Sequence, residues 1–187
     1  MTPGGWPDKV HLAGHLVHSM RVLFLKILIA SGVASLLWIL LHPAHRVLEI
    51  SDPRSDRPLF CAEMADGEDF VLSFVHSVNK RPVFDTLRVD GDRLIIVKSR
   101  FDSFGAGMPE ESGSEGRLEF DSDGWLVWSV WRPVPLLNLF VGRDAQHGVH
   151  IRGSQRALAE LAEPGTSLSI RSTRISLLEL LRRSCLK

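Results

Sequence analysis

The sequence predicts a mainly β domain, an antiparallel sandwich or small barrel, with one N-terminal transmembrane helix before it and a short C-terminal amphipathic helix after it. Three observations predict it. Val22–Leu41 is an unbroken apolar run of bilayer length. Between residues 58 and 171 short apolar segments alternate with turn signals, the pattern of sandwiches and barrels. Ile175–Lys187 gathers leucines on one helical face among basic side chains. The 187 residues suffice for one modest domain, and 22 basic against 22 acidic side chains leave no cationic surplus for a nucleic-acid partner.

Residues 1–21 are a short flank carrying Lys9 and Arg21 against Asp8, so the positive-inside rule predicts a cytoplasmic N-terminus and an extracytoplasmic domain. The span at 22–41 covers roughly 30 Å at about 1.5 Å per residue. Its one charge, Lys26, lies a turn inside the end, where its stem carries the ammonium back to the headgroups. The run closes on Trp38 and leucines without a small-x-small cleavage site, which predicts a retained anchor and makes the lipid bilayer the first partner. His11, His15 and His18 recur at helical spacing, either as a metal-binding stripe or as an interfacial face; no carboxylate or Cys joins them.

Residues 42–57 read as a linker and 58–171 as the β domain. Strands are expected at 58–64, 70–78, 83–89, 93–101, 117–121, 125–131, 149–152 and 167–171, with a short helix at 155–162 and the terminal helix within 172–187. Asp90-Gly91 or Gly91-Asp92 makes one tight hairpin, and Asp123-Gly124 another. A two-residue bend at Lys80-Arg81 closes the preceding pair. Cys61 and Cys185 lack CxxC spacing; an oxidising compartment permits a long-range disulfide between them without demanding it.

Strand parity assembles a polar cluster. His76 shares a face with Phe70, Leu72 and Phe74, and Asp85 shares one with Val83, Leu87 and Val89. Strict pairing across the bend sets His76 opposite Asp85, and the third strand adds Lys98 and Arg100 to the same face. Buried charges need partners, so two readings compete: a small-anion site completed by the Gly105–Gly107 backbone, or a structural ion pair closing the end of the sheet.

The run Phe74-Val75-His76-Ser77-Val78-Asn79-Lys80-Arg81-Pro82-Val83-Phe84-Asp85, followed by Phe101-Asp102-Ser103-Phe104-Gly105-Ala106-Gly107-Met108-Pro109, resembles the DUF1850 family of bacterial proteins. The matching pattern is HSV-x-K-x-P-V-x-E and then S-x-GAG-[LM]-P, with Val141-Gly142, His147 and Gly165 fitting further on. The name denotes a domain of unknown function. The resemblance implies a small secreted or inner-membrane-anchored protein, often encoded beside TAXI-type TRAP transporters, which import small organic acids. It also implies weight on His76, Lys80, Asp85 and the loop Ser103, Gly105, Ala106, Gly107. The chain departs from the pattern at Asn79 and Phe84 and in carrying Asp85 where the family has Glu.

Two function classes follow. The first is an accessory protein in the periplasm, assembling with a TRAP permease or binding a small organic anion through His76, Lys80, Asp85, Lys98, Arg100 and the loop residues 103 and 105–107. The second is a small hydrolase of esters or amides built on Ser77 or Ser103 with His76 and Asp85. Ser77 neighbours His76 on a strand and points away from it, and no GxSxG elbow is present, so the expectation is a non-enzyme without metal or cofactor. His147 and His150 fall on opposite faces of a strand, against metal ligation. Trp125, Trp128 and Trp131 read as packing groups, and Pro133–Val141 as an apolar lip or a buried edge segment.

Overall fold

The computed structural model describes residues 9–183 and 185. It divides into two units, residues 1–42 and 43–187, each described by itself. The first is α1 (Lys9–Leu41), a helix of 33 residues uninterrupted by proline. Its segment Met20–Leu41 is long and apolar enough to cross a membrane, as an anchor or as a signal sequence. The His42 N–H donates to the Trp38 carbonyl at 2.8 Å and the two rings stack 4.7 Å apart, ending the helix before Pro43. The side chains of His11, His15 and His18, and the metal stripe considered for them, lie outside the described residues.

The second unit runs β1 (His45–Asp52), β2 (Arg57–Glu63), β3 (Asp69–Val75), β4 (Pro82–Asp90), β5 (Arg93–Phe101), β6 (Gly116–Phe120), β7 (Leu126–Val134), β8 (Leu137–Phe140), β9 (Gly148–Ile151), β10 (Ser154–Ala157), a 3-10 turn (Leu158–Glu160), β11 (Ser167–Ile175) and α2 (Leu177–Arg183). Two antiparallel sheets result, β2-β1-β11-β8 and β10-β9-β3-β4-β5-β7-β6. Leu48, Ile50, Leu168 and Ile170 of the smaller sheet bury against Phe70, Leu87, Val89 and Leu94 of the larger. Of the two expected architectures the sandwich is realised, since each sheet keeps its edges.

The smaller sheet is covered on its second face too. Val47, Cys61 and Ile175 pack there under Leu177 and Leu180 of α2, and Cys61 is bonded to Cys185. Ser176 starts this helix with a capping box: its Oγ accepts the Glu179 N–H at 3.2 Å, and Glu179 Oε2 accepts the Ser176 N–H at 3.1 Å. Glu49, with 3% of its side chain exposed, accepts from Arg171 at 2.7 Å and from Arg183 of α2. The terminal helix therefore packs on its own domain.

Several expectations change. Residues 45–52, read as linker, form the central strand β1, buried on both faces. The proline-broken run 133–141 supplies the end of β7 and the edge strand β8. The helix expected at 155–162 is instead β10 and the 3-10 turn. Arg152 and Gly153, with φ of 48° and 78°, make the two-residue loop that pairs Ser154 with Ile151, and this hairpin overrides the helical propensity of the segment. Gly91-Asp92 is the loop between β4 and β5, since Asp90 pairs with Arg93. Buried Arg46 pins that turn through the Gly91 carbonyl and Asp92.

Candidate functional site

Two backbone irregularities decide which side chains meet. The connection from β3 to β4 takes six residues, 76–81, rather than two, and Leu72 rather than His76 stands opposite Asp85. Within it the His76 N–H donates to the Arg81 carbonyl at 2.8 Å and the Lys80 N–H to the His76 carbonyl at 3.0 Å, with Lys80 at φ 56°. The second irregularity is a bulge at Val97: Leu87 pairs with Ile96 but Thr86 with Lys98. Beyond it parity inverts, so Ser99 and Phe101 join the face of Asp85 while Lys98 and Arg100 turn to the other.

That inversion corrects the expected cation cluster. Lys98 is exposed on the far face. Arg100 donates to Asp121 at 2.6 Å and Asp123 at 3.0 Å, and its guanidinium lies 4.4 Å from the Trp125 ring centroid. Arg100 holds the Asp121 carboxyl below the usual range. This is a structural ion pair that fastens the β6–β7 loop.

On the inner face of the larger sheet a cleft of about 570 Å³ opens beside β4, β5 and β7, over a buried cluster that includes Val83 and Phe101. Phe74, Val83, Phe101 and Trp128 make its apolar floor, and His76, Asp85, Ser99, Arg132 and His147 its polar lining. A smaller cavity of about 160 Å³ shares Phe74, Asp85 and His147 and is lined by Leu137 and Leu139 of β8. Asp85 thus stands at the border between core and cleft. The Ser99 hydroxyl donates to Asp85 Oδ1 at 2.5 Å. Burial raises the Asp85 carboxyl above the ordinary range, and the Ser99 bond and the Arg132 charge only partly oppose it. Among the described residues no carboxylate stands within ion-pair distance of Arg132.

The Gly142 N–H donates to His147 Nδ1 at 3.3 Å, which leaves the proton of the neutral ring on Nε2. Burial lowers the pKa of His147, so the neutral ring prevails at pH 7. Opposite, the loop 102–109 closes the cleft. Asn79 Nδ2 donates to the carbonyls of Ser103 and Phe104 at 3.2 and 3.1 Å, and Arg81 pairs with Asp102. The departure at Asn79 is therefore the stitch between bend and loop. A Cβ at Gly105 would come within 2.9 Å of Asn79 Nδ2 and 3.2 Å of His76 Cε1. Gly107, at φ 81°, occupies the position that a turn closed by Gly105 O and Met108 N requires to be left-handed.

Of the residues singled out in the sequence, His76, Ser77, Asp85 and Gly107 line the cleft. Gly105 packs against His76, and Ser103 lies in the closing loop, its carbonyl held by Asn79. Ala106 and Lys80 are exposed in that loop and in the bend. Ser99, Arg132 and His147 complete the lining without having been assigned to it. The serines weighed as nucleophiles are not bonded to His76: Ser77 is exposed, and the Ser103 hydroxyl faces the Phe104 carbonyl at 3.4 Å. The one serine–histidine pair among the described residues, Ser73 Oγ with His150 Nε2 at 2.7 Å, joins β3 and β9 outside the lining of the cleft. Among the described residues no three His, Cys, Asp or Glu side chains are grouped to hold a metal ion.

Comparison with known proteins matches residues 70–158 to the family described as a domain of unknown function, DUF1850. No curated protein and no solved structure matches the chain. The matched span begins in β3 and ends at the 3-10 turn, so every residue lining the cleft falls inside it. Residues 70–158 are thus similar to the DUF1850 family, and the cleft lies within the matched span.

Proposed function

We propose that the protein is a membrane-anchored binding component of the extracytoplasmic space, holding a small organic acid in the cleft and serving a TAXI-type TRAP transporter. One observation carries the ligand class: Arg132 reaches a largely apolar cleft without a carboxylate partner, beside an Asp85 that burial biases toward its neutral form. A carboxylate with a small apolar body fits both features, its charge at Arg132 and its body on Phe74, Val83 and Phe101. The disulfide supports an oxidising compartment, and the basic flank of the apolar helix supports a cytoplasmic N-terminus. The transporter association rests on the family resemblance alone.

The test is calorimetric titration of the full chain in detergent with a panel of monocarboxylates of two to six carbons. Binding by one or more, weakened about tenfold or further by Arg132→Gln, is the expected result. No binding across the panel, or binding indifferent to Arg132, would overturn the ligand class. Co-purification of a tagged chain with the permease tests the association separately.

A further inference from the structure

We infer that the open edge of β8, with the cleft beside it, receives the extended carboxyl-terminal segment of a partner polypeptide, added as a fifth strand to the smaller sheet. The inference rests on the reading of the cleft as a carboxylate site and names its occupant. Among the described residues four strand edges are open, those of β2, β8, β6 and β10. Three carry the residues that discourage pairing: Arg57, Pro58 and Glu63 on β2, Arg117 and Glu119 on β6, and Arg156 on β10. The fourth, Leu137-Asn138-Leu139-Phe140, carries neither charge nor proline, and its Phe140 is 70% exposed.

Position argues for a single strand. β8 is bonded to β11 on one side only, and the cavity beneath its leucines shares Phe74, Asp85 and His147 with the cleft. A segment lying along β8 would pair its backbone with about 13 Å of edge and lower alternate side chains toward the cleft. A second copy of the domain fits poorly, because its own larger sheet would enter the layer that this one fills. Charge argues for a chain terminus. Arg132, unpaired among the described residues, offers the lone carboxylate of a peptide end the same charged contact as a small acid.

The experiment uses the full chain in detergent and four probes: the peptide Thr-Val-Thr-Val-Val with a free carboxylate, its amide, its backbone N-methylated form, and isovalerate. Hydrogen–deuterium exchange across residues 134–141 and affinity are the readouts. The free acid should slow exchange in β8 about tenfold, bind about tenfold more tightly than the amide and lose that margin in Arg132→Gln, while the N-methylated peptide should not bind. Isovalerate and peptide binding equally, with exchange in β8 unchanged, would overturn strand addition and leave the small-acid cleft standing. Equal binding of acid and amide would overturn the carboxyl-terminal assignment, and binding by none of the three peptides would overturn strand addition, while the small-acid reading stands or falls with the monocarboxylate panel.

Discussion

At Asp85, burial and a 2.5 Å hydroxyl contact act in opposite directions on one carboxyl group, and burial prevails. Its folded pKa stands above the unfolded one, so the charged form costs stability at neutral pH. The cost fades as pH falls through the folded value. Asp85→Asn keeps an acceptor for Ser99 and should raise the melting temperature at pH 7 by roughly 2–4 °C, the shift that about 1 kcal/mol produces in a domain of this size. The margin should narrow toward pH 4. A variant melting below the parent at pH 7 would show that the charge is matched in the fold. Asp85 was legible in the sequence as an inward-facing group, because alternation along β4 is regular, whereas His76 lines the cleft from the bend that follows β3. Arg132 was not, since the adjacent Pro133 reads as the end of a strand, whereas here it pairs with Ile95 inside β7.

Among the elements, β5 shows why parity misplaced two cations. Its pattern is apolar and regular through Ile96, and nothing in Val97-Lys98-Ser99-Arg100 marks an inserted residue, because a bulge is a property of two strands pairing and not of either alone. Deleting Val97 tests the reading: it would remove the inserted residue while leaving Lys98 opposite Thr86 and Ser99 opposite Asp85, so the Arg100 contacts with Asp121 and Asp123 should survive. The deletion variant should therefore accumulate as a folded domain with a cooperative melting transition, as Val97→Ala should. Loss of the folded domain in the deletion variant alone would refute the register. β1 was missed for the opposite reason, in that Arg46 and Glu49 look like surface residues but are buried and paired. The terminal helix was legible as amphipathic, and only the three-dimensional pairing of Arg183 and Cys185 shows what it covers. Truncation after Arg174 should consequently abolish folding, read as loss of a cooperative melting transition.

Over the whole molecule, fold class and the long apolar N-terminal helix were the most legible features, because each rests on composition over many residues rather than on one contact. The orientation makes a prediction of its own. Alkaline phosphatase fused after Lys187 should be active in a bacterial host, and the fused chain should run as an oxidised species on a non-reducing gel. An inactive fusion would place the domain on the reducing side. The Cys61–Cys185 bond spans 124 residues of sequence. At about 5–20 residues per second of synthesis, Cys61 waits roughly 6–25 s for its partner to be made. Throughout that interval the nascent domain carries one reactive thiol, and a chain arrested anywhere between the two positions carries it permanently. Completion of the domain is thereby recorded in its chemistry: the oxidised domain offers no thiol to alkylating reagents, and an unfinished one can be captured through Cys61 by an oxidant or by exchange with another disulfide in the compartment.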